Sequence, residues 1–205
     1  MFFIFLFCVC VASGQTMHRI TDLTELKNRL TGTAQRLQSI ECDFKQTKYM
    51  TVFKQKIVSK GKFYYLKHDK IRMDYTRPVN YKIVINGNRL MTVNNGSKSV
   101  TNIGSNKLMN QMQDMIAAGM TGDLTRLSSQ YRTVFYENDA YYLARVIPLN
   151  ANVRQYMQQI DIYLDKASMS VYELRLRENA SNYTEYIFYN RRFNSLKNEG
   201  LFSVR

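Results

Sequence analysis

The stretch GKFYYLKHDKIRMDY, residues 61–75, decides the fold. Its second half alternates: Ile71, Met73 and Tyr75 point to one side and Lys70, Arg72 and Asp74 to the other, the period of a strand with one wet face. Its first half breaks that rule, because Phe63-Tyr64-Tyr65-Leu66 places bulky side chains on both sides. A strand in a plain two-layer domain needs cover on one face only. This one needs a partner on the second face as well.

Working outward, the runs ECDFKQTKYMTVF, KIVSKGKFYYL, KIRMDY, YKIVING, RLMTV and KSVTNI follow one another between turn residues such as Asn86-Gly87 and Asn94-Asn95-Gly96. Such spacing reads as a six-stranded meander. In YKIVING, Tyr81, Ile83 and Ile85 again share one face. After residue 130 the pattern resumes in YRTVFYEN, AYYLARVIPL, QIDIYLDK, SVYELRLREN and YTEYIFYN, with turns at Asn138-Asp139, Asp165-Lys166 and Asn179 to Asn182. About eleven strands are expected in all.

Two segments carry helical periodicity instead. Between Thr21 and Gln38, Leu23, Leu26, Leu30, Ala34 and Leu37 form a narrow apolar stripe, and Asp22 and Glu25 mark its start. Between residues 106 and 124, Leu108, Met112, Met115, Ile116 and Met120 share a face. Core packing and an adaptable apolar lid account equally well for such a methionine-rich stripe. A single curved antiparallel sheet of this size presents an apolar concave face larger than one narrow helix can cover. Two helices could lie inside it, and any surplus surface is a pocket for an apolar guest.

With 205 residues and 45% hydrophobic content the chain suits one packed domain. Residues 1–14, MFFIFLFCVCVASG, form an apolar run ending in small residues, which reads as a secretory signal and is too short to span a bilayer. The expected domain is therefore 15–205, exported and periplasmic. Removal of the signal leaves Cys42 as the one cysteine, so neither an internal disulfide nor a cysteine zinc site is available. The net charge of +13 favours anionic partners, and export turns that preference towards membrane or protein surfaces and away from nucleic acid.

Enzyme signatures are missing: there is no Gly-x-Ser-x-Gly, phosphate loop, His-Glu-x-x-His or paired CxxC. His18 and His68 have no ligand set around them, and Asp161 and Asp165 are spaced too widely along a strand for a catalytic dyad. Neither an enzymatic activity, nor a metal, nor a cofactor is expected.

In order along the chain, Phe44-x-Gln46, Ser59-x-Gly61-x-Phe63, Ile71-Arg72-Met73-Asp74-Tyr75 followed by Pro78, Val84-Ile85-Asn86-Gly87, Tyr183-Thr184 with Ile187, Phe188, Asn190 and Asn194, and finally Phe202 resemble the outer-membrane lipoprotein carrier family, the periplasmic chaperones called LolA. The resemblance implies an α+β fold: an unclosed, half antiparallel β-barrel with helices as a lid over a hydrophobic cavity. It implies a monomeric carrier of acylated lipoproteins, passing from an inner-membrane release complex to an outer-membrane acceptor, with peripheral membrane contact. On that reading Phe63, Tyr65, Ile71, Met73, Tyr75, Ile83 and Ile85 line the sheet side of the acyl-chain cavity, and Leu108, Met112, Met115 and Ile116 line the lid side. Lys67 stands where the family has the arginine that latches the lid, and a lysine lacks the planar, bidentate contacts of that group. Tryptophan is wholly missing, with Met73 and tyrosines in its place. The same fold could instead serve a periplasmic sensor or a binder of a free lipid or other apolar ligand.

Overall fold

The computed structural model describes residues 16–67, 70–106, 110, 114, 117–119, 121, 123–124 and 130–204. The expected signal, His68, and the proposed lid residues Leu108, Met112, Met115 and Ile116 lie outside them. Among the described residues all strands belong to one antiparallel sheet of 12 in the order β1-β8-β9-β10-β11-β12-β2-β3-β4-β5-β6-β7. The first meander comprises β2 (Ser39–Met50), β3 (Gln55–Leu66), β4 (Lys70–Arg77), β5 (Tyr81–Asn86), β6 (Arg89–Asn94) and β7 (Ser97–Asn102). The second comprises β8 (Tyr131–Glu137), β9 (Tyr141–Pro148), β10 (Gln159–Asp165), β11 (Val171–Arg177) and β12 (Tyr183–Phe193). The strand beyond the expected eleven is β1, His18–Arg19, which pairs with Glu137 and Tyr136. Two residues carry no readable alternation.

The meanders meet where β12 pairs with β2, through registers such as Phe188↔Phe44 and Tyr186↔Gln46. Turn chemistry follows the residues that announce it. Asn95 and Gly96 both take positive φ, as a tight hairpin turn requires, and the Asn138 and Asn179 side chains accept backbone N–H bonds from the two residues that close their loops.

Register carries one apolar set across the concave face: Ile40, Cys42 and Phe44 on β2, Phe63 and Tyr65 on β3, Ile71 on β4 and Ile85 on β5, continued by Ile160, Ile162, Leu174 and Phe188 beyond the seam. Helix α1, Thr24–Arg36, lies on this face with Leu26 and Leu30 buried, and Asp22 takes the Thr24 backbone N–H at its start. In segment 106–124 the described residues Asn110, Asp114, Ala117 to Gly119 and Thr121 are helical. Ala117 and Ala118 are buried in the same core, and a Cβ on Gly119 would stand 3.2 Å from Leu174. Helices therefore cover the concave face in two places, as the sequence suggests.

The second face of the opening strand is covered by the C-terminal segment. Phe202, fully buried, joins Val84, Met91 and Val204 in a separate core on the convex side, with Tyr64 and Leu66 against it. Polar groups fasten this strap. Arg72 forks onto Asp74 and donates to the Leu201 carbonyl at 2.8 Å, the Asn86 amide donates to the Phe202 carbonyl at 3.1 Å, and Lys70 pairs with Glu199. The bulky Tyr64 and Leu66 are thus a docking surface for another part of the same chain.

Candidate functional site: the concave face

Seven of the sequence-derived cavity residues are described, and all lie on the concave face. Phe63, Tyr65, Ile71 and Ile85 are buried in the main core, while Met73, Tyr75 and Ile83 are half-buried and packed against it. The register pairs Phe63 with Met73 and Met73 with Ile83, and Tyr65 with Ile71 and Ile71 with Ile85, so they form two continuous rows across three strands. A row of cross-strand apolar neighbours is a smooth wall with no polar interruption.

Beside these rows sits an aromatic cluster. Phe44 meets Tyr75 edge-on at 5.0 Å and Tyr186 at 6.0 Å, and Tyr186 stacks on Phe188. Gly61 makes room for it: a Cβ there would stand 2.7 Å from the Phe44 ring and collide with the Asp74 carbonyl. The Tyr75 and Tyr186 hydroxyls lie 3.5 Å apart, and burial raises the pKa of both phenols. Both therefore stay neutral, which suits a wall facing hydrocarbon.

Among the described residues two openings reach this interior. One of about 260 Å³ lies under the short helix Ala151–Arg154, bounded by Val153, Tyr156, Met157, Leu176 and Tyr186, with Gln46, Lys48, Glu178 and Thr184 at its rim. The other, about 230 Å³, lies between the end of α1 (Thr33, Arg36, Leu37) and Met169, Phe193 and Asn194. They sit at opposite ends of β12, roughly 25 Å apart at the strand rise per residue. An apolar cavity of about 150 Å³ is enough to take a benzene ring. The first opening, with Val153, Met157, Leu176 and Tyr186 in its wall, exceeds that size, whereas the second is lined mainly by polar residues, Thr121, Ser168 and Ser170 among them.

The lining of these openings is what sequence reading missed. Met157 and Tyr156 follow a four-residue helix too short to show periodicity, and Thr184 and Gln46 look like ordinary wet-face residues until the register turns them inward. Lys67 lies on the cover side: its Nζ donates to the Gln35 carbonyl in the last turn of α1 at 3.2 Å, and its backbone N–H to the Gln38 carbonyl. Arg29 ties the other flank of α1, donating to the Tyr142 hydroxyl and the Lys166 carbonyl. Cys42, buried at 3% exposure, has its thiol pushed up to about 12 by burial and is an inert part of the wall. Among the described residues no group of three His, Cys, Asp or Glu could hold a metal, and no helix is long and apolar enough to cross a membrane.

An unclosed antiparallel half-barrel, apolar within and covered by helices, is the class of fold these elements define. The chain belongs to the outer membrane lipoprotein carrier protein LolA family, whose pattern matches residues 35–205. A search of curated proteins finds no match. Among solved structures the chain is similar to a DUF1329 family protein from Desulfovibrio piger, at 11% identity and a TM-score of 0.50, covering 88% of this chain and 95% of that one. It is also similar to a putative outer membrane lipoprotein-sorting protein domain from Vibrio parahaemolyticus, at 13% identity and a TM-score of 0.49, covering 87% and 95%. A LolA superfamily protein from Nitrosomonas europaea gives 8% identity and a TM-score of 0.45, covering 86% and 96%. At these identities the likeness is one of fold.

Proposed function

We propose that this protein is an exported, periplasmic carrier that holds the acyl chains of lipoproteins on its concave face and moves them from the inner to the outer membrane, without enzymatic chemistry. The observation that carries the reading is the apolar wall running from β5 to β9, closed from above, among the described residues, by helices and not by a second sheet. A second sheet would fix the interior for good. Helices held by a few leucines and polar ties can lift.

The energetics suit delivery as well as capture. Each acyl methylene taken from water contributes about 0.8 kcal/mol, so roughly a dozen of them supply on the order of 10 kcal/mol. Lifting α1 uncovers its own Leu26 and Leu30 and breaks its ties at Arg29 and Lys67, which opposes that gain, and the guest replaces the leucine contacts as it enters. Net affinity is the difference between the two terms. An acceptor with a better-exposed apolar surface can then withdraw the chain.

Native mass spectrometry of the protein recovered from cells tests the reading, together with a lipoprotein-release assay from membrane vesicles. Protein-linked acyl chains on the wild type, with release lost in Ile71→Glu and Met157→Glu, are the expected results. A co-purified free lipid, or release undiminished in both variants, overturns the carrier reading.

A further inference from the structure

One rim of the sheet gathers exposed apolar side chains. Register places the ends of neighbouring strands together there: Gln159 beside Arg177, Arg177 beside Tyr183, Tyr183 beside Tyr49, Tyr49 beside Lys56, and Lys60 beside Arg77. At that rim Val52 is 83% exposed and Tyr156 64% exposed, and Ile57, Val58, Val79 and Leu149 are also exposed. Scattered single exposures need no explanation. Exposures collected on one edge of a fold do.

The most prominent part is the β2–β3 hairpin, whose β3 arm outruns β4. Pairing of β12 with β2 stops at Tyr49, and pairing of β4 with β3 stops at Lys60, so Gln55 to Ser59 have β2 on one side and nothing on the other. Its tip, Thr51–Phe53, is a single 3-10 turn closed by Lys54 at φ 49, a left-handed conformation uncommon for lysine. The tip is braced outwards. The Thr51 backbone N–H donates to the Asn182 side chain at 2.9 Å, its hydroxyl to the Ser181 carbonyl, and Tyr49 stacks on Tyr183 at 5.6 Å. Val52 is thus held away from the core, where collapse would otherwise take it.

Charge at this rim has one dominant sign. Residues 45–60 contain Lys45, Lys48, Lys54, Lys56 and Lys60 and neither Asp nor Glu. Lys48 pairs with Glu178 at 3.4 Å; the other four form no ion pair among the described residues. Arg77 and Arg177 are exposed on the same rim. Branched apolar groups projecting beyond a ring of unpaired cations match the interface of an anionic bilayer, where the apolar tips enter the acyl boundary and the cations meet phosphates. The opening under Tyr156 and Met157 lies on this rim too, with Lys48 at its edge.

We infer that the β2–β3 hairpin and the adjoining rim dock this protein on anionic lipid membrane, setting the mouth of the acyl cavity directly against the bilayer. The inference builds on the carrier reading, since docking here lets an acyl chain pass between bilayer and cavity without crossing water. An acidic protein surface would use the cations but gains nothing from an exposed Val52.

The chain contains no tryptophan, so Val52→Trp introduces a single emission at the hairpin tip. Exported protein carrying this change is mixed with vesicles of phosphatidylcholine, with or without phosphatidylglycerol. The expected result is a blue shift with the anionic vesicles only, lessened by salt, and no shift for Val100→Trp in the middle of the edge strand β7, four strands from β3. Flotation of the wild type with the same two vesicle types is the independent measure. Lys54→Glu with Lys56→Glu is expected to lower partitioning more than tenfold, at about fivefold per lysine near such a surface. Val52→Asp is expected to abolish flotation while leaving binding of a soluble fluorescent fatty acid unchanged. Equal flotation with both vesicle types, or an unshifted Val52→Trp emission, overturns the docking inference. Loss of fatty-acid binding in the wild type instead overturns the carrier reading and leaves the vesicle result standing.

Discussion

Phe202→Ala tests the account of the two-sided strand most directly. The side chain is fully buried between the convex face of the sheet and the strap, with Val84 and Met91 beneath it. Removing a buried phenylalanine loses its transfer free energy and leaves a void, together about 3–5 kcal/mol. A second limit applies here, because the strap can peel away and need not preserve an empty space. Peeling exposes Val84 and Met91 and gives up the bonds from Arg72 and Asn86, each contributing about 1 kcal/mol. The exposed Lys70–Glu199 pair adds little. The cost of Phe202→Ala is therefore capped by the cost of deleting residues 199–205. Urea unfolding followed by circular dichroism and tyrosine fluorescence measures both variants. With about 2–4 °C in Tm per kcal/mol for a domain of this size, the substitution lowers Tm by about 6–20 °C. Acyl-probe affinity stays unchanged, since the strap is on the opposite face from the cavity. A loss below about 1 kcal/mol, or a deletion that costs less than the point change, refutes the reasoning.

Gly61→Ala is expected to destabilise by about 2–3 kcal/mol or more, because the added methyl meets the Asp74 backbone carbonyl and the Phe44 ring, of which the first cannot swing aside; thermal unfolding within 1 °C of wild type would contradict this. Cys42 gives a pH signature. Its thiol ionises near 9.0 when unfolded and about 12 when folded, so its contribution is complete below pH 9 and is lost as pH rises towards 12. Between pH 8 and pH 10 the wild type should lose about 1.4 kcal/mol relative to Cys42→Ala, read from parallel urea titrations.

Much of the fold was legible because alternation is strong where one face is wet. Every expected run from β2 to β12 became a strand, since Ile71, Met73 and Tyr75 against Lys70, Arg72 and Asp74 leave one choice of inward face. The pairing of β12 with β2 was not legible, because nothing local to residues 39–50 specifies a partner some 140 residues away. Phe63-Tyr64-Tyr65-Leu66 announced that cover was needed on both sides but could not say from where. Its outer partner is a segment whose own pattern, from Leu196 to Val204, has no periodicity. The wall of the site was readable for the same reason as the strands. Its mouth was not, since Tyr156 and Met157 owe their position to a turn and not to a repeat.

The two central neighbours in the sheet, β2 and β12, are far apart in the chain, and of its two margins β7 comes from the middle while the other is the two-residue β1, laid against β8. Residues 103–130 therefore run from the strand at one margin to the strand flanking the other, and Ile103, Ala117, Ala118 and Leu124 lie along that crossing. The arrangement is that of a bow and its string. Any guest thick enough to flatten the sheet draws the ends of β7 and β8 apart, and so lengthens the distance between Asn102 and Tyr131 that the intervening chain has to span.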